Sequence, residues 1–122
     1  MARFRLSDLA KRDIAIVLRR NEQEHGREAR IRYRALLSAS LRWIAEDPRG
    51  PTTSNRGDLH AGIRSLHLRH GRRLSREAPV AAPVHVIFYR IVAPDLIDIV
   101  RVLHERMDAG RHISSSDRRR AQ

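Results

Sequence analysis

The 122-residue chain contains no cysteine, which removes disulfides, thiolate nucleophiles and cysteine-based zinc sites together. Aromatic residues amount to one Trp, two Tyr and two Phe, too few to supply the stacking platforms on which single-stranded nucleic acid is bound. Apolar runs of bilayer-spanning length are missing, and Met1-Ala2-Arg3-Phe4-Arg5 has no apolar stretch behind its charges. A soluble, cytoplasmic protein with no membrane partner is therefore expected. Lysine occurs once, at Lys11, so nearly all of the 25 basic residues are arginines.

What is present is enough to fold and strongly basic. Hydrophobic residues make up 41% of the chain, sufficient to offset chain entropy despite 32% charged residues. The formal charge of +11 is carried by planar, permanently ionised guanidinium groups that pair two-pronged with carboxylate or phosphate, which favours an acidic partner. Charge alone does not distinguish nucleic acid, an acidic protein segment and an anionic membrane. The length suits one domain, expected over 1–113, with 114–122 a flexible basic C-terminal tail.

Arg3-Phe4-Arg5-Leu6 reads as a short strand, and Ser7-Asp8 as the cap and first-turn acid of a helix. Ala10, Ile14, Val17 and Leu18 form its apolar stripe until Gly26. A second helix carries Ala29, Tyr33, Leu36, Leu37, Ser40 and Ile44 on one face and ends at Pro48. Asp47 to Asp58 is loop-like in composition. Strands are expected at Ile63–Arg69, Val84–Val92 and Leu96–Leu103, the last two apolar enough to be covered on parts of both faces. Ala93-Pro94-Asp95 makes the turn between them, and Gly71 to Pro83 reads as an exposed excursion. The order β-α-α-β-β-β predicts an α+β fold, a helical hairpin packed on a small antiparallel sheet.

The string Arg101-Val102-Leu103-His104-Glu105-Arg106-Met107-Asp108, followed by His112, resembles the closing signature of the ParE branch of the ParE/RelE toxin superfamily, "R-x-L-H" running into "x-x-M-D". Further matches fall in order: Arg5-Leu6-Ser7, Ala10 and Asp13-Ile14, Ala29 and Tyr33, Ala45-Glu46-Asp47-Pro48, Gly62-Ile63-Arg64, and His85 through Arg90. The resemblance covers roughly 3–113 and departs from the family over His70 to Pro83, which is longer than the usual link. It implies a helical hairpin on a small antiparallel sheet, a ParD-like antitoxin as inhibitor in a hetero-oligomer, and inhibition of DNA gyrase by binding. DNA would then be reached only indirectly, through the antitoxin.

Two other activities compete with that reading. A RelE-like ribosome-dependent mRNA endonuclease needs cations at the phosphate and a general acid or base, for which Arg64, Arg69, Tyr89 and Arg90, with Arg101, are the available set. The basic-aromatic ending "H-R-x-x-V-Y" typical of RelE-like chains is replaced here by Leu103-His104-Glu105-Arg106-Met107-Asp108. A plain nucleic-acid-binding module would use the arginines on phosphates, but the scarcity of rings weighs against it.

No catalytic residue, cofactor or metal is expected on the leading reading. His67 and His70 fall on opposite faces of a strand, and His104 and His112 read as surface or capping histidines. His104 and Asp108 are expected to cap backbone groups while Met107 packs. Arg101, His104, Met107, Asp108 and His112 remain the place to look for target contacts. For the antitoxin, Leu9, Ile16 and Leu41, apolar positions off the main stripes, are expected to form an exposed groove on the hairpin, with Arg12, Arg19 and Arg20 pairing an acidic amphipathic segment.

Overall fold

The computed structural model describes residues 2–74, 80 and 82–113. The expected tail at 114–122 and part of the excursion, 75–79 and 81, lie outside the described residues. Strand β1 (Arg3–Leu6) leads into helix α1 (Asp8–His25), and Ser7 caps α1 as expected. Its Oγ accepts from the Ala10 N–H at 3.0 Å and donates to the Val100 carbonyl at 2.8 Å, so one hydroxyl starts the helix and ties it to the sheet. Gly26, at φ 93°, links α1 to α2 (Arg27–Glu46) with a backbone angle that a side chain would resist.

The rest is sheet: β2 (Ser54–Asn55), β3 (Ile63–His67), β4 (His85–Ala93) and β5 (Leu96–His104), with a 3-10 helix (Leu68–Leu74) after β3 and a helical turn over 109–113. The strand order is β1-β5-β4-β3-β2. The α+β class stands, with two differences of detail. β1 pairs with β5 in parallel, Arg3 opposite Leu96 and Leu6 opposite Ile99, so the sheet is mixed rather than wholly antiparallel. The segment assigned to loop contributes β2, a two-residue edge strand opposite Ser65 and Arg64. The strand expected to reach Arg69 stops at His67, because the His67 Nδ1 accepts the Arg69 N–H at 3.0 Å and turns the chain into the 3-10 helix. That helix presses on α2 at Gly71, where a Cβ would collide with the Ser40 Oγ.

Apolar residues divide between the two faces of the sheet. On the helix side lie Leu36, Leu37, Ile44, Leu66, Ile87, Tyr89, Ile97, Ile99 and Val102. On the other side lie Ile63, Phe88, Val100, Leu103 and Ile113, with Leu59 and Ala109 against them. The alternation breaks in β5, where Phe88 faces Arg101 but Tyr89 faces Ile99. Val100 is thus the extra residue of a β-bulge, and Ile99 and Val102, three apart, both reach the helix side. This double coverage explains the nearly continuous apolar run of β5.

Leu41 requires a correction. It is only 7% exposed and belongs to the helix-side core, so it offers nothing to a partner. It lies four residues after Leu37 and three before Ile44, within a stripe wider than the one first drawn, because α2 packs against α1, the sheet and the 3-10 helix together.

Candidate functional site: a basic groove between α1 and the end of β5

A groove of about 930 Å³ runs between α1, the start of α2, the approach to β4 and the end of β5. Leu9, Arg12, Ile16 and Arg20 line it from α1, four of the six residues expected to meet an antitoxin. Ile16 is 49% exposed, and Arg12 and Arg20 are exposed as well. Arg19 is exposed but lies outside the groove, one helical step from Arg20 on a different face. Arg101, His104, Met107 and His112 line the opposite wall. The fold thus joins two sets of residues that sequence reasoning kept apart, one from each end of the chain.

The walls are held together by Asp13 and Arg101. The guanidinium donates through Nε to Oδ2 at 2.8 Å and through a terminal nitrogen to Oδ1 at 2.9 Å, and the Val102 N–H donates to Oδ2 at 3.0 Å. Both side chains are nearly buried, 10% exposed for Asp13 and 13% for Arg101. This two-pronged pair clasps α1 to β5. Arg101, singled out as a target contact, is in the first place a structural cation.

A second polar set lines the groove at its other end. The Tyr33 hydroxyl accepts the Val84 N–H at 3.2 Å and lies 2.6 Å from Nδ1 of His85. The hydroxyl keeps a second lone pair, so it donates to Nδ1 when the neutral His85 ring carries its hydrogen on Nε2 and accepts when Nδ1 carries it. His85 packs edge-on against both Tyr33 and His104, each at a centroid distance of 5.5 Å. Burial, reinforced by His104 and His67, pushes the His85 pKa down to about 4. His67 hydrogen-bonds Glu105 through Nε2 at 2.6 Å, which holds the Glu105 carboxyl below its ordinary range. Tyr33 was read as a stripe residue and His85 only as part of a strand motif. Their pairing, 52 residues apart, has no local signature.

The closing signature is partly a local cap. His104 Nδ1 accepts the Arg106 N–H at 3.1 Å, and Asp108 Oδ1 accepts the Arg111 N–H at 3.4 Å, as the capping reading expected. Met107 packs only in part, since it is 47% exposed at the groove rim. Asp108 is exposed outside the groove.

The set drawn for nuclease chemistry is not assembled as an open site. Arg64 and Tyr89 are cross-strand neighbours, but both are spent on the loop after α2. The Tyr89 hydroxyl donates to the Pro48 carbonyl at 2.6 Å, and Arg64 donates to the same oxygen at 3.2 Å and to the Thr53 Oγ1 at 2.7 Å. Tyr89 is fully buried, which raises its pKa and removes it from proton transfer at a surface. Arg90, next along β4, lines a separate cleft with Arg5 and Asp98, and Arg69 lies exposed on the 3-10 helix. Replacing Tyr89 by Phe is expected to cost about 1 kcal/mol of stability, read by thermal or urea unfolding, because Arg64 still satisfies the Pro48 oxygen.

Histidines also fail to converge: among the described residues no group of three or more His, Asp or Glu side chains is placed to hold a metal ion. Among the same residues no helix is long and apolar enough to cross a membrane.

Comparison with known proteins bears on the whole of this arrangement. The family model described as the ParE toxin of the type II toxin–antitoxin system parDE matches residues 4–109. Toxin ParE1 of Caulobacter vibrioides is 33% identical over 114 residues, spanning 93% of this chain and 99% of that protein. Toxin ParE1 of Mycobacterium tuberculosis is 47% identical over 34 residues, 28% of this chain and 35% of the relative. With the match running from β1 through the end of β5 to the turn that follows, the chain belongs to the ParE toxin family of type II toxin–antitoxin systems.

Proposed function

We propose that the protein is a cytoplasmic, single-domain toxin that acts by binding, is neutralised by a ParD-like antitoxin in a hetero-oligomer, and when released inhibits DNA gyrase without catalysing a reaction of its own. The observation that carries this reading is the groove: exposed arginines at Arg12 and Arg20 flank the apolar Leu9 and Ile16 and face the exposed Met107. An amphipathic segment with acidic flanks complements that surface by the helix-in-groove mode. Membership of the ParE family supports an antitoxin as the occupant and a topoisomerase as the target. Contact with DNA would come through the antitoxin.

The test is plasmid supercoiling by purified gyrase with and without the toxin, run beside ribosome-programmed mRNA cleavage. Loss of supercoiling with intact mRNA, reversed by the antitoxin, is the expected result. Codon-specific cleavage with unaffected gyrase overturns the reading.

A further inference from the structure

The acidic segment proposed for the groove meets not only arginines but an imidazole pair, His85 and His104, set edge to face on its wall. Among the described residues the Nε2 atom of His85 makes no hydrogen bond, while its Nδ1 is engaged by Tyr33. We propose that docking of a carboxylate-bearing segment in this groove is proton-coupled: a carboxylate of the partner accepts from Nε2 of His85, and the ring takes up one proton as the complex forms. The proton comes from solvent and leaves both ring nitrogens carrying hydrogen. The Tyr33 hydroxyl, already an acceptor for Val84, accepts from Nδ1 of the protonated ring as well. This inference rests on the reading that the groove takes an acidic segment.

The charges around His85 explain why the free protein leaves it neutral. Tyr33 from α2 hydrogen-bonds its Nδ1, His104 from β5 and His67 from β3 oppose its ionisation, Arg20 from α1 opposes it more weakly, and Glu105 alone favours it. Burial acts in the same direction as the cations and is the largest cause. An incoming carboxylate reverses the balance, since an opposite charge at hydrogen-bond distance favours the ionised ring. The bound-state pKa then lies above the free-state value of about 4. Affinity therefore rises as pH falls through the bound-state value and levels off below the free one. Between about pH 7 and 5.5, with a partner peptide's amino terminus acetylated, the arginines stay charged and the partner's carboxylates stay largely ionised, so the change in that range belongs mainly to histidine.

Titration calorimetry tests this with a synthetic amphipathic helical peptide bearing a leucine stripe and a glutamate face, and with its glutamine counterpart. Each is measured on the wild-type toxin at pH 6.5 in two buffers of different ionisation enthalpy. The expected result is proton uptake with the glutamate peptide and none with the glutamine peptide. Affinity for the glutamate peptide should tighten about threefold to tenfold for each pH unit of acidification in the range where the bound ring titrates. His85→Asn should abolish the uptake and flatten the pH profile. Binding by the glutamate peptide without proton uptake, or uptake that survives in His85→Asn and so belongs to His25, His104 or His112, overturns the inference and leaves the groove reading standing. No binding of the glutamate peptide to the wild type overturns both. Should His85→Asn fail to fold, the imidazole nitrogen shifts of His85 in the wild type, read by NMR with and without the glutamate peptide, assign the proton: an unchanged neutral ring in the complex overturns the inference.

Discussion

Replacing Asp13 by alanine is expected to destabilise the protein by about 3–5 kcal/mol, the loss that follows removal of one partner from a nearly buried ion pair. The carboxylate accepts three hydrogen bonds, two from Arg101 and one from the Val102 backbone. Without it a cation is left with little access to water and a strand N–H loses its acceptor. For a domain of this size each kcal/mol corresponds to roughly 3–5 °C in Tm. Thermal unfolding followed by circular dichroism is the measurement. The pair Asp13→Leu with Arg101→Met removes both charges at once and should recover most of the loss, because the desolvation penalty vanishes with the attraction. A loss below about 1 kcal/mol in the single variant would mean that the clasp behaves as an ordinary surface ion pair.

Reversing charge on the groove wall should act on binding and leave folding alone. Arg12→Glu combined with Arg20→Glu is expected to weaken capture of the antitoxin about 100-fold, equivalent to ~2.7 kcal/mol. Most of the effect should appear as slower association and a shallower salt dependence, since both side chains are exposed and set the field through which an acidic partner approaches. Arg19→Glu serves as the control. Compared with Arg20→Glu alone it changes the net charge by the same two units but lies outside the groove, and it should cost a few-fold at most. Surface plasmon resonance on immobilised antitoxin reads both. Equal losses at Arg19 and Arg20 would show that overall charge, and not this groove, governs capture.

The helices were legible in the sequence because their signals are local. Ser7 ahead of Asp8, the stripe through Ala10 and Leu18, Gly26 and Pro48 each follow from backbone geometry within a few residues. The strands of the meander were legible from branched and aromatic bulk. Direction was not: nothing in Arg3-Phe4-Arg5-Leu6 tells whether its neighbour runs with or against it. Two residues such as Ser54 and Asn55 show no period, and the bulge at Val100 hides inside an apolar run. Leu41 was misplaced because a narrow stripe was assumed for a helix packed on several sides. At the groove, Leu9, Arg12, Ile16 and Arg20 were found from amphipathicity, whereas the partnership of Tyr33, Val84 and His85 depends on contacts about fifty residues apart.

The parallel edge between β1 and β5 governs when this toxin becomes whole. Its N-terminal strand has no sheet partner until Leu96 to Ile99 have been synthesised, and the Arg5 to Asp98 pairing spans 93 positions of chain. Closing such long loops delays folding, because their entropy is lost before any contact repays it. The groove inherits the same delay, since one wall is α1 and the other is the end of β5. On the proposed reading of the groove, a nascent chain still lacking β5 offers an inhibitor only one of its two walls, and neutralisation would follow the synthesis of that strand.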